Sequence, residues 1–107
     1  MIDNFDEIIG QDKLTLVDFY ATWCGPCKIM HPVLDRIEKM VDEDVNIVRL
    51  DIDDPDNMAL VRRYGIMSVP TFIFFKNGVI LRRETGAMPY GKLADMVEGY
   101  KKDKTVK

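Results

Sequence analysis

Leu14-Thr15-Leu16-Val17-Asp18-Phe19-Tyr20-Ala21 runs straight into Thr22-Trp23-Cys24-Gly25-Pro26-Cys27, and the reading of this junction decides the fold. The first part is a nearly continuous apolar run of strand length, the pattern of a strand covered on both faces. Only Asp18 interrupts it. From Cys27 onward Met30, Val33, Leu34, Ile37, Met40 and Val41 recur at helical spacing. Residues 24–43 are therefore predicted to form a long amphipathic helix, kinked at Pro32 where a backbone donor is missing. The two cysteines open a helix that follows a buried strand.

Downstream, Val45-Asn46-Ile47-Val48-Arg49-Leu50-Asp51-Ile52 reads as a second strand. Asp54-Pro55 then supplies a cap and a first-turn proline for a helix ending before Gly65. Strand, helix and strand make a right-handed crossover with parallel strands. Thr71-Phe72-Ile73-Phe74-Phe75, Lys76-Asn77-Gly78 and Val79-Ile80-Leu81-Arg82-Arg83-Glu84 form a hairpin signal, because Asn-Gly readily takes the positive φ angles of a tight turn. Leu93, Met96, Val97 and Tyr100 mark one face of a last helix. Upstream, residues 3–9 read as a short helix capped by Asp3 or Asn4 and stopped by Gly10. The order α-β-α-β-α-β-β-α implies a mixed sheet with helices on both faces.

A chain of 107 residues, 47% hydrophobic and 31% charged, is the size of one ordinary core, so residues 1–107 are expected to form a single domain. No apolar stretch approaches the roughly 20 residues that cross a bilayer. Met1-Ile2-Asp3-Asn4-Phe5-Asp6-Glu7 carries acids where a signal peptide carries Lys or Arg before an apolar run, so no export is expected. A net charge of −3 and a pI near 5.1 argue against nucleic-acid binding, which needs a concentrated positive field. Lys101, Lys102, Lys104 and Lys107 cluster at the end, interrupted by Asp103, and read as a solvated, frayed tail.

Two cysteines three positions apart close too short a loop to constrain the unfolded chain, so a structural disulfide is not expected. Tetrahedral zinc wants four Cys or His ligands, and the chain offers two Cys and the single His31. No metal and no cofactor are expected, and redox chemistry is the stronger reading. A thiol attacks a disulfide as thiolate, and Cys24, at the first turn of the helix, faces unpaired backbone N–H groups and the positive end of the dipole. Cys27 lies one turn further in and should be less exposed. Cys24 is thus read as the nucleophile and Cys27 as the resolving thiol of a redox-active disulfide.

Trp23-Cys24-Gly25-Pro26-Cys27-Lys28 is identical to the active-site signature of the thioredoxin family. The resemblance continues in Val17-Asp18-Phe19, Pro32, Tyr64-Gly65-Ile66, Val69-Pro70-Thr71, Phe75-Lys76-Asn77-Gly78 and Gly86-Ala87. It implies a thioredoxin-like three-layer α/β/α fold and a cytoplasmic protein-disulfide reductase. Its partners would be protein disulfides and an NADPH-linked flavoprotein, thioredoxin reductase. Asp18 resembles the buried carboxylate that exchanges a proton with the resolving cysteine, and burial in a central strand should raise its pKa toward neutrality. The alternative is an acid that reaches solvent or is neutralised by Arg49. Pro70 resembles the family's cis-proline facing the cysteines. Trp23, Ile52, Val69, Gly86 and Ala87 match a groove of apolar and small residues that receives the substrate chain. Gly25-Pro26 between the cysteines accompanies reductants, whereas a His there accompanies oxidants and isomerases.

The chain also departs from the family. Only Met1 and Ile2 precede Asp3, so the first family strand is expected to be absent or vestigial and the sheet to have four strands. Residues 45–52 then lie at an edge, leaving a monomer or weak self-association. Arg49 stands where many members carry Lys, and an Arg cannot share a proton as a Lys can. Tyr20 replaces a frequent Trp, and Ser68 a frequent Gly. Pro89 takes the place of a capping Ser or Thr, so the last helix is expected to begin late. His31 is read as a surface residue. Two further readings stay open: a partner subunit that needs no redox turnover, and a dimer bridged by metal between two cysteine pairs.

Overall fold

Strand β1, Thr15–Tyr20, lies inside the sheet and is buried almost throughout, as its apolar run requires. The computed structural model describes residues 4–103, with nothing taken from the side chain of Asp42. Around β1 stand α1 (Phe5–Ile9), α2 (Gly25–Val41), β2 (Asn46–Asp51), α3 (Met58–Arg63), β3 (Thr71–Lys76), β4 (Val79–Thr85) and α4 (Tyr90–Lys101). Short 3-10 turns at Asp42–Asp44 and Pro55–Asn57 follow α2 and precede α3. The order of helices and strands is the one read from the sequence, and Pro32 lies within the continuous α2.

The strands are arranged β2-β1-β3-β4. β1 and β2 pair in parallel, with Asp18 opposite Arg49, while β1 with β3 and β3 with β4 are antiparallel. Alternate side chains of a strand face opposite layers. Leu16, Phe72 and Phe74 therefore pack with Met30, Leu34 and Ile37 of α2 and Leu93 and Val97 of α4. On the other side Val17, Phe19, Ile73 and Phe75 meet Phe5 and Ile9 of α1 and Leu60 of α3. The result is the three-layer α/β/α fold with a mixed sheet of four strands among the described residues. Met1, Ile2 and Asp3, on which the expectation of an absent or vestigial first strand rests, lie outside them.

Several local expectations are corrected. Asn4 occupies the N-cap of α1, but its side chain makes no capping hydrogen bond; burial of Phe5 and Ile9 holds this short helix instead. Gly10 does end α1, yet with φ −79°, so no left-handed conformation is involved. α4 is not delayed: it begins at Tyr90, because the extended Pro89 offers its carbonyl to the Leu93 N–H at 3.2 Å. The chain end is also tied down as far as Asp103. The Lys76 ammonium, on a residue only 8% exposed, donates to the carbonyls of Lys101 at 3.2 Å and Asp103 at 2.7 Å. A cation is favoured at a helix C-terminus, where carbonyls lack partners. Lys104 and Lys107 lie outside the described residues.

The β3–β4 turn has Asn77 at φ +54° and Gly78 at φ +78°, the positive pair that lets two antiparallel strands join tightly. A Cβ at residue 78 would meet no atom within 4 Å, so only the backbone resists substitution there. Gly78→Ala is expected to destabilise the protein by about 1 kcal/mol, read as a lower urea midpoint with unchanged slope. An unchanged midpoint would contradict this account of the turn.

Candidate active site

Cys24 sits at the point where β1 gives way to α2. Its N–H donates to the Ala21 carbonyl at 3.2 Å, and its own carbonyl accepts from Lys28 N–H at 3.2 Å, which opens the helical ladder. Pro26 is tolerated in this first turn because N–H groups there have no intrahelical acceptor. Cys24 and Cys27 are joined in a disulfide with their Cα atoms 5.2 Å apart. The Cys27 N–H donates to Cys24 Sγ at 3.1 Å. One of the orphan donors of the helix start is thus aimed at Cys24 Sγ, where it and the helix dipole would stabilise a thiolate.

Ala21, Cys24 and Cys27 form a small buried cluster with Tyr20, Ile52 and Val69 packed against it. Cys24 is 4% and Cys27 1% exposed, so the expected order holds but the contrast is small while the two are joined. The Val69–Pro70 bond is cis, and the Val69 carbonyl lies 3.6 Å from Cys24 Sγ. Pro70 is tied to the far loop, since its carbonyl accepts from Gly86 N–H at 2.9 Å. Gly86 has φ +91°, a conformation that a side chain would strain. Ala87 is exposed and enters this neighbourhood only as the next residue along. Gly25 and Pro26 are exposed at the mouth, and a Cβ on Gly25 would meet nothing within 4 Å. The chain itself makes no steric demand for glycine there.

Trp23 projects outward, 66% exposed, and its indole N–H donates to Asp53 Oδ2 at 2.8 Å. Asp53 is held in turn by its own N–H donating to Asp51 Oδ1 at 2.9 Å. Sequence reasoning had not singled out Asp53, because no periodicity links positions 23 and 53. His31 is half-buried rather than on the surface: its ring stands edge-on to Tyr20 at 5.2 Å. Tyr20 in turn packs against the cysteine cluster.

Asp18 is 1% exposed, and its Oδ1 is the buried side-chain polar atom without a hydrogen-bond partner among the described residues. Burial pushes its pKa up to about 7, with the Arg49 charge pulling the other way. Arg49 does not pair with it by hydrogen bonding. Its guanidinium donates to Asp35 Oδ1 at 2.8 Å and to Glu38 Oε1. Among the described residues no three His, Cys, Asp or Glu side chains are grouped as metal ligands, and no helix is long and apolar enough to cross a membrane.

The sequence model of the thioredoxin family matches residues 1–99. The chain is 42% identical over 95 residues to the thioredoxin of Staphylococcus saprophyticus, which covers 89% of this chain and 88% of that protein. It is 41% identical over 96 residues to Thioredoxin Y, chloroplastic, of Oryza sativa, covering 89% of this chain and 56% of that one. The chain thus spans little more than half the length of the chloroplastic relatives it matches. Among solved structures, a mutant thioredoxin from Halobacterium salinarum NRC-1 superposes with a TM-score of 0.80 at 32% identity, covering 92% of this chain and 83% of that one.

Proposed function

Because this chain belongs to the thioredoxin family, we propose that it reduces protein disulfides by dithiol–disulfide exchange at Cys24 and Cys27. The observation that carries this reading is the Cys24–Cys27 disulfide at the head of α2, with a backbone N–H directed at Cys24 Sγ. In the reduced protein the Cys24 thiolate attacks one sulfur of a substrate disulfide. The substrate's sulfur–sulfur bond breaks, one half leaves as a thiolate, and the other stays bonded to Cys24. Cys27 then gives its proton to Asp18 and its sulfur attacks Cys24 Sγ. The second substrate thiolate leaves and takes a proton from water, and the protein is left oxidised by two electrons.

The neighbouring residues divide the work of holding the substrate. Trp23, Gly25, Pro26, Ile52, Val69, Pro70, Gly86 and Ala87 are assigned to receiving the substrate chain beside Cys24, a reading supported by the packing of Ile52 and Val69 against the cysteine cluster. A substrate strand laid across it can pair with backbone at Val69. The empty space beside Gly25 supports approach from that side. Re-reduction falls to a dithiol reductase, read here as NADPH-linked. Residues 1–107 are taken as a single domain because both apolar cores share one sheet. We read the protein as a general cytoplasmic reductant, working as a monomer or weakly self-associating, without nucleic acid or membrane.

Insulin reduction with dithiothreitol as electron donor tests this directly. The protein is expected to speed precipitation of the insulin B chain, and a variant with both cysteines replaced by serine is expected to give only the background rate. Equal rates for the two would overturn the assignment.

A further inference from the structure

Few charged groups stand near Asp18. Asp18 follows Leu16 on the same face of β1, so it points toward the layer of α2 and α4. From β2 the residue opposite is Arg49, and from β3 it is the apolar Phe72. α4 presents Leu93 and Val97 to this layer, and its Lys92 is engaged with Glu84 at 3.8 Å. α2 contributes Cys27 near its start and, further along, Asp35 and Glu38, which hold Arg49. Arg49 is the charged group whose field acts on Asp18.

Two facts stand against each other here. A guanidinium opposite a buried carboxylate ordinarily forms a charge-assisted pair with it. In this protein the guanidinium of Arg49 is instead drawn to two carboxylates on α2, and Asp18 Oδ1 stays without a partner. Asp35 and Glu38 are themselves well exposed, with 65% and 48% of their side chains accessible, so neither is needed to fill the core. Placed three apart on one helix, they present two acceptors to the same face.

Resting on the exchange reaction proposed above, we propose that Asp35 and Glu38 are positioning residues: by holding the Arg49 guanidinium against α2, they keep it from pairing with Asp18 and leave that carboxyl free to exchange a proton with Cys27. Without them Arg49 turns toward Asp18, forms the buried pair and fixes the carboxylate in its ionised form. Such a carboxylate is a poorer base, and resolution of the mixed disulfide slows at neutral pH.

The test is a carbon-13 NMR titration of the Asp18 carboxyl in the oxidised protein, which needs no turnover. It is read in the wild type, in Asp35→Asn with Glu38→Gln, in Arg49→Gln, and in the triple variant. The two amide substitutions should lower the Asp18 midpoint by about one pH unit when Arg49 is present. In the Arg49→Gln background the same pair should move it far less, a coupling that a double-mutant cycle isolates. A midpoint that stays put or rises in the first comparison overturns the proposal. So does an equal fall with and without Arg49, which would mean that the carboxylates act only through their own field. A protein inactive on insulin would sink the exchange reading while leaving this titration interpretable.

Discussion

Cys24→Ser is expected to lower insulin-reductase turnover by roughly a thousandfold or more, since no other thiol on the chain is placed to begin the exchange. Cys27→Ser should have a different signature. Its Cys24 can still attack, so substrate becomes bonded to the protein, but no second thiol displaces it. Mixed disulfides should then accumulate in about one-to-one ratio with protein, visible as a mass increase that dithiothreitol reverses. The asymmetry follows from the helix start: the Cys27 N–H is aimed at Cys24 Sγ at 3.1 Å, and that donor favours the thiolate of Cys24. Alkylation of the reduced protein with iodoacetamide at neutral pH checks the assignment independently. Faster labelling of Cys27 than of Cys24 would reverse the two roles.

The part of this site that could be read from sequence is the part made by neighbours along the chain. A buried-type run ending at Ala21 and a helical period beginning at Cys27 require the cysteines to stand at a strand-to-helix junction, and that is where they are. The Asn77-Gly78 turn was legible for a similar reason, because its backbone angles suit those two residues. Contacts between distant segments were not legible. Nothing in the pattern shows that Trp23 would be pinned by Asp53, or that Tyr20 would meet His31 edge-on.

Arg49 illustrates the boundary. Its place opposite Asp18 follows once two parallel strands are aligned, and so did the expectation that it could neutralise the acid. Which carboxylate it binds depends on the seating of α2 over the sheet, a matter of tertiary packing that strand alignment does not reach. The helix starts show a milder limit. Residue preference points to a side-chain cap at Asn4 and to a delayed start at Pro89, whereas α1 is held by two buried side chains and α4 by a proline carbonyl that accepts as well as any other.

Asp18→Asn is expected to stabilise the oxidised protein at pH 8 while slowing resolution of the mixed disulfide. The carboxyl's pKa rises from 3.8 to about 7 on folding, so between these values the folded state binds a proton that the unfolded state has released. Stability then falls as pH rises through this window and levels off above it, where the native protein must hold a buried carboxylate. A shift of about three units corresponds to about 4 kcal/mol. An asparagine escapes that pH-dependent cost but still buries an amide in a place where Oδ1 has no partner, so the net gain at pH 8 should be about 2 kcal/mol. Urea unfolding at pH 4 and pH 8 separates the terms: the variant should be the more stable protein at pH 8 and the less stable one, by about 2 kcal/mol, at pH 4, where the wild-type carboxyl is neutral in the fold. An advantage equal at both pH values would mean that Asp18 is not titrating in this window. For activity, if Asp18 accepts the Cys27 proton as proposed, its replacement should slow resolution by roughly a hundredfold at pH 7. Quenched-flow trapping of the mixed disulfide reads this step separately from the first attack, which Asp18→Asn should leave within about threefold of wild type. A gain in stability at pH 8 together with slowed resolution would identify Asp18 as a group that costs stability in order to move a proton.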